Sequence, residues 1–405
     1  MSLRHGRETL AIPGPSIMPD RVLRAMHRAA PNIYEGELID MVQTILADLK
    51  RVACAPDAEV AIYIANGHGS WEAALQNTIA PGDRVLVLGT GRFGLGWAEW
   101  ARKLGADVEV LDFGTAAPAD PGRVSDRLRQ ADGDFKAVLA TQTDTSTSVT
   151  NDIAPLAQAI RAARPDALIM IDCIASLACE RFEMTNWDVD VMVAASQKGL
   201  MTPPGVSFVF ARPRALVART GLTAVSPYFD WQPRFAPDLF YQIFCGTAPT
   251  HHLYGLREAL TMILDEEGLE ATLSRHEALA RIIWSAADVW SELGEIRLNV
   301  PDPAARSHAV TTIRTGAGDA QRLRDWCNRE AGLVLGIGLG LDAALSPATD
   351  ALFRIGHMGH LNPPMLMGVL ATIDAGFKAL GIEHGGGALR VASETLAAEV
   401  QRLAR

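Results

Sequence analysis

From Val60 onward, short apolar runs rich in valine and isoleucine alternate with amphipathic stretches of helical length, and few architectures tolerate that pattern. It predicts βαβ units, a mostly parallel sheet covered on both faces. The expected strands are 60–65 (VAIYIA), 84–89 (RVLVLG), 108–113 (VEVLDF), 136–141 (KAVLAT), 167–172 (ALIMID), 189–195 (VDVMVAA) and 206–211 (VSFVFA). Seven strands make one large sheet. Helices are expected between them at Trp71–Ile79, Leu95–Leu104 and Pro155–Ala163, punctuated by turns such as Pro81-Gly82-Asp83.

After about Leu256 the texture changes. A long helical run, Leu269–Leu293, leads into a strand at 309–315, a helix near Asp319–Ala331, two apolar runs at 333–339 and 353–359, and two closing helices. The expectation is an N-terminal segment (1–20), a large domain (21–275) and a smaller C-terminal α/β domain (276–405). At 405 residues the chain exceeds what a single core holds.

Composition excludes several classes of function. With 37 basic and 47 acidic residues the net charge is −10, the wrong sign for a nucleic-acid footprint. The first ten residues carry no apolar stretch of the secretory kind, and the run Ala167–Cys179 is broken by Asp172 and too short to span a bilayer. Five cysteines (Cys54, Cys173, Cys179, Cys245, Cys327) without CxxC spacing argue against a zinc site or a disulfide framework. The expected location is the cytoplasm, with neither membrane nor nucleic acid as partner.

Two constellations compete for the chemistry. Gly89, Gly91 and Gly94 spell GxGxxG after a strand and before a helix, with Asp112 ending the next strand, which on paper is a site for NAD. Any doubly wound sheet has glycine-rich turns, however, and this one follows the second strand of the run. The other constellation is spread over several strand ends. Asn66-Gly67-His68-Gly69-Ser70 opens a helix and suits a single phosphate, or is an ordinary turn with Ser70 as N-cap. Asp172 closes a wholly apolar strand, and Lys198 follows the next one. Such a pair is either a structural salt bridge or an amine held for Schiff-base chemistry.

Five motifs then fall in a telling order: PGPS (13–16), NGHGSWEAAL (66–75), IDCIAS (171–176), SQKGLMTPPG (196–205) and FRIGHMG (353–359). From about Ile12 to Gly381 the chain resembles the class V aminotransferases of fold type I, in particular the alanine–glyoxylate and serine–glyoxylate aminotransferases. The resemblance implies pyridoxal 5′-phosphate as cofactor, joined to Lys198 as a Schiff base, with Asp172 paired to the pyridinium nitrogen. It further implies phosphate contacts from Gly67, His68 and Gln197, a ring-stacking Phe93 where relatives often have tryptophan, and a cofactor-side hydroxyl at Thr145. Thr247 is implied to reach the phosphate of a partner subunit, hence a homodimer with shared active sites. Arg354 is implied to grip the substrate's α-carboxylate, and Gly14 to lie in a segment folded over the site; the flanking Phe353, Ile355 and Gly356 make a surface ion pair a poorer account of Arg354.

The implied reaction moves an amino group from serine, alanine or a similar small amino acid to glyoxylate or another small 2-oxo acid, by a ping-pong scheme. Three departures bear on substrate: Phe244 where alanine–glyoxylate members have tyrosine, Ser148 where glycine is common, and the acidic Tyr34-Glu35-Gly36-Glu37 near the entrance, which is equally read as a solvated turn. RIGHMG and YEGE are also similar to pyridoxamine–pyruvate aminotransferase, which keeps free pyridoxamine open as an alternative substrate.

Overall fold

The computed structural model describes residues 2–340 and 351–404. In chain order its strands are β1 (Thr9–Ala11), β2 (Glu59–Tyr63), β3 (Arg84–Gly89), β4 (Asp107–Asp112), β5 (Ala137–Thr141), β6 (Thr143–Asp144), β7 (Val149–Thr150), β8 (Leu168–Asp172), β9 (Val191–Ala195), β10 (Ser207–Ala211), β11 (Arg297–Leu298), β12 (Val310–Arg314), β13 (Leu333–Ile337) and β14 (Leu352–Gly356). All seven strands expected between residues 60 and 211 form, each within about two residues of its expected bounds, and they make one sheet in the order β2-β10-β9-β8-β5-β3-β4. Every pair is parallel except those of β10, which runs against both β9 and β2.

Side-chain alternation explains why these strands read as unbroken apolar runs. Ile169 and Ile171 of β8 face one layer while Leu168 and Met170 face the other, and both layers are dry. Helices Glu37–Val52 and Ile153–Ala163 supply the first layer, helices Gly67–Gln76 and Arg92–Lys103 the second. The chain leaves β3 for the edge strand β4 and returns on the other side of β3 as β5. Loops beyond β3 and β5 therefore diverge, and the carboxyl ends of the strands open a crevice there.

A second sheet, ordered β1-β13-β14-β12-β11, packs its own core of Phe353, Ile355, Trp290 and Phe377 under the helices Leu269–Trp290, Pro363–Leu380 and Ala388–Leu403. Its edge strand β1 pairs in parallel with β13, Thr9 opposite Leu333. Nothing in the N-terminal sequence foretold that strand, because three residues carry no periodicity to read. Its effect is that the segment from Ala11 to Asp20 leaves the small sheet and crosses to the crevice of the large one. Among the described residues no helix is long and apolar enough to cross a membrane.

Candidate active site

Loops from five strand ends converge on a cavity of about 250 Å3 lined by Asn66, Gly67, His68, Trp71, Phe93, Thr143, Thr145, Asp172, Ile174, Ala175, Gln197 and Lys198. Those residues follow β2, β3, β5, β8 and β9. A larger groove of about 780 Å3 lies between the N-terminal segment and helix Pro363–Leu380, but it is lined by none of them.

Asp172 ends β8 and is buried. The indole Nε1–H of Trp71 donates to its Oδ2 at 2.9 Å and the Ile174 N–H to its Oδ1 at 2.7 Å. Burial dominates and pushes the carboxyl up to about 7, the two donors opposing it and the Asp144 charge adding to it. Lys198 turns its amine inward, where it donates to the Pro13 carbonyl. Burial lowers that amine to about 8, helped by the Arg354 charge and opposed by Asp172. The pair thus shares one cavity with both charges held in check.

The N-terminal segment is fastened to the lysine turn. Ser16 N–H donates to the Gln197 carbonyl at 2.9 Å and Ser16 Oγ to the Lys198 carbonyl at 2.7 Å. Gly14 has φ +95°, and a Cβ built on it would lie 2.5 Å from Lys198 Nζ. Only glycine permits that approach. The Gln197 Oε1 is buried without a partner among the described residues.

Helix Gly67–Gln76 starts four residues earlier than its sequence pattern suggested. Asn66, not Ser70, is the N-cap, its Oδ1 accepting from the His68 N–H at 3.1 Å. Ser70 Oγ instead donates back to the Gly67 carbonyl at 2.8 Å. The His68 ring stands at the rim, 4.7 Å from the Trp71 ring, and burial lowers its pKa.

Arg354, in β14 of the small sheet, reaches toward the same place. Its Nε donates to the Ile337 carbonyl at 2.8 Å and its Nη1 to the Thr145 carbonyl at 2.9 Å. Burial lowers the guanidinium to about 10, so it is still a cation at neutral pH. No carboxylate lies within ion-pair distance of it among the described residues. Among the described residues its hydrogen bonds go to carbonyl oxygens alone, and a buried cation held in that way suits an anion.

The dinucleotide reading of Gly89, Gly91, Gly94 and Asp112 is overturned here. The helix N-terminus that would face a pyrophosphate is filled by the buried carboxylate of Asp144, which accepts from the N–H groups of Phe93 at 2.8 Å and Gly94 at 3.1 Å. Asp112 is exposed and accepts from the Gly114 N–H within its own turn. Phe93, from inside that motif, lines the cavity instead.

The remaining departures find physical settings. Ser148 has φ +60°, a conformation glycine adopts freely, and its Oγ accepts from the Thr312 N–H at 3.1 Å. Phe244 is buried against Phe240 within its own chain, and Thr247 is exposed and does not line the cavity. Tyr34 is 80% exposed, while Glu37 pairs with Arg28 at 2.5 Å.

Comparison with known proteins decides the family: the model of the aminotransferase class-V family matches residues 14–347. The chain belongs to the class V aminotransferases. This aminotransferase is 34% identical over 389 residues to serine–glyoxylate aminotransferase of Methylorubrum extorquens, covering 93% of each chain. In fold it is similar to pyridoxamine–pyruvate aminotransferase from Mesorhizobium loti (TM-score 0.88, 22% identity, covering 98% and 100% of the two chains). It is also similar to ureidoglycine–glyoxylate aminotransferase from Bacillus subtilis (TM-score 0.86, 24% identity, covering 98% and 99%).

Its cofactor is pyridoxal 5′-phosphate, and the cavity's chemistry fits that group. An inward amine suits an aldehyde, a buried carboxyl with spare lone pairs suits a ring N–H, and the orphaned Gln197 amide, once rotated, offers its donors to an anion. Two residues that sequence reasoning missed are Trp71 and Asp144. Trp71 was visible only as an apolar helix position, and Asp144 as one polar residue among several in TDTSTS.

Proposed function

We propose that this enzyme transfers the amino group of a small neutral amino acid, serine or alanine, to glyoxylate or another small 2-oxo acid, with Lys198 and Asp172 as the catalytic pair. The observation that carries the reading is that Lys198 and Asp172 line one cavity while Arg354, a buried cation with no carboxylate at ion-pair distance among the described residues, influences the same lysine. Similarity over nearly the whole length to a serine–glyoxylate aminotransferase supports the choice of substrates.

Pyridoxal 5′-phosphate, when bound, supplies the electron sink that makes an α-proton of an amino acid removable. Lys198 would hold it and, once released, move that proton, because an amine near 8 is both a competent base and a competent acid close to neutral pH. Asp172 would hold the ring nitrogen's proton, a cation there returning it to the ionised form. Gly67, His68 and Gln197 would bind the phosphate, Phe93 would face the ring, and Thr145 would lie beside it. Arg354 would orient the α-carboxylate with its planar fork. Pro13 and Gly14 would roof the lysine and exclude water.

The same reading makes the enzyme a cytoplasmic homodimer with active sites shared between subunits, Thr247 serving the partner's phosphate. Support comes from the exposed apolar Leu239 and Tyr241 just before Thr247, and from five free cysteines, as in a reducing compartment. It also divides the chain into an N-terminal segment (1–20) over the active site, a large domain (21–275) and a small one (276–405), the second division inside helix Leu269–Trp290.

The test is half-reaction spectroscopy: holoenzyme mixed with serine, alanine, aspartate, ureidoglycine or free pyridoxamine, one at a time. Serine or alanine should discharge the visible cofactor absorbance fastest, and glyoxylate should restore it. Lys198→Ala should show neither change. Full discharge in that variant, or a response to aspartate alone, refutes the proposal.

A further inference from the structure

The GTGRFG turn has no ligand in a transaminase reading, yet it is not idle, because a side chain of the protein occupies it. Asp144, the last residue of β6, is fully buried. Its Oδ2 accepts from the Phe93 and Gly94 N–H groups at 2.8 and 3.1 Å, and its Oδ1 from Ser146 N–H at 3.0 Å and Ser146 Oγ at 2.6 Å. A carboxylate at the start of the twelve-residue helix Arg92–Lys103 is favoured by the helix dipole and by the otherwise unpaired first-turn donors. Gly91 makes the fit possible: a Cβ there would stand 2.5 Å from Asp144 Cγ.

What Asp144 holds lies on two sides of the cavity. Phe93 lines it, and Thr145, the next residue along, lines it too while its carbonyl carries the Arg354 Nη1 at 2.9 Å. The Asp144 charge also favours the protonated form of Arg354 and opposes ionisation of Asp172. Asp144 itself is absent from the cavity lining.

We propose that Asp144 is a positioning residue, the carboxylate that fixes Phe93 and the Thr145 carbonyl relative to each other and so sets the distance between the cavity's aromatic wall and Arg354. This rests on the reading in which Phe93 faces the cofactor and Arg354 the substrate carboxylate. Lys198 and Asp172 hang from other loops, so the proton-moving groups stay in place when Asp144 is changed, and the Asp144 charge ranks behind burial and both hydrogen-bond donors in its hold on Asp172. Binding should suffer and turnover at saturation should not.

Three variants test it. Asp144→Asn keeps the size but offers one accepting oxygen, so either the Phe93 and Gly94 pair or Ser146 loses its acceptor. Gly91→Ala displaces the carboxylate without removing its charge, and Ser146→Ala removes one donor. The readouts are the dissociation constant of pyridoxal 5′-phosphate, by fluorescence titration of the apoenzyme, and KM and kcat for L-serine with glyoxylate. For Asp144→Asn both Kd and KM should rise about tenfold or more, the scale of a hydrogen bond to a charged group, with kcat within about threefold. Gly91→Ala should move the same two constants in the same direction, and Ser146→Ala less so; these two carry the test should Asp144→Asn not fold.

A variant that melts earlier but binds cofactor and serine like wild type overturns the proposal, as does a fall in kcat with KM unchanged. Wild type that neither binds the cofactor nor reacts with serine overturns the transaminase reading and this inference together. Normal wild type with unaffected Asp144 and Gly91 variants sinks only the inference.

Discussion

Replacing Asp172 with asparagine should destabilise the apoenzyme in mild acid and stabilise it in mild alkali. Burial lifts this carboxyl from 3.8 to about 7, which disfavours the ionised form in the fold by roughly 4 kcal/mol at about 1.4 kcal/mol per pH unit. Because the folded value lies above the unfolded one, the stability contributed by the protonated acid is whole below pH 3.8. It drains away as pH rises to about 7. Asparagine has no such loss. It leaves one of two buried donors, Trp71 Nε1–H or Ile174 N–H, without an acceptor, at about 1–3 kcal/mol regardless of pH. The balance should therefore move by about 3 kcal/mol toward the variant between pH 4.5 and 8.5, crossing zero on the way. Lys198 titrates in both proteins, and because Asp172 ranks behind burial and Arg354 among the influences on it, most of its contribution cancels. The assay is the melting temperature of the two apoenzymes across that range, and adding cofactor should flatten the wild-type curve. A difference that stays constant with pH would show that Asp172 is not the buried, lifted acid described here.

Arg354→Lys loses the planar fork while keeping the charge, and should raise KM for the amino donor about 10- to 100-fold with a smaller effect on kcat, in steady-state assays. Gly14→Ala places a methyl group 2.5 Å from Lys198 Nζ at a φ of +95°. Its cofactor absorbance at equal protein should fall well below wild type, and a normal spectrum would mean the N-terminal segment does not press on the lysine. Asp112→Ala, at an exposed strand end, should leave activity within about twofold, as surface changes usually do. A large loss would revive the dinucleotide site.

The strands of the large sheet were readable because both their faces are buried, which leaves unbroken apolar runs. Helix starts were misjudged at Gly67 and Arg92 for one reason: glycines in a first turn look like loop until a cap is seen, and the caps were Asn66, one residue ahead, and Asp144, some fifty residues away. The opposite direction of β10 had no signature, since a buried strand has the same composition whichever way it points. Of the site, Asp172 stood out as an acid closing an apolar strand and Lys198 as an amine just past the next, while Arg354 was reached through the family resemblance. Trp71 did not, because an indole that packs and an indole that also donates to a carboxylate occupy the same helical position.

By itself the amino-acid order determined which segments were strands of the large sheet, that their ends carried an amine and an acid, and that a cation sat in an apolar strand far downstream. These are local facts, written in periodicity and in the cost of burying charge. Only tertiary structure decided that β1 joins the small sheet and brings Pro13 and Gly14 onto Lys198, and that Arg354 rests on Thr145. It also decided that Asp144 fills the glycine turn. A helix N-terminus attracts any anion that reaches it, and which anion arrives is set by how distant loops pack.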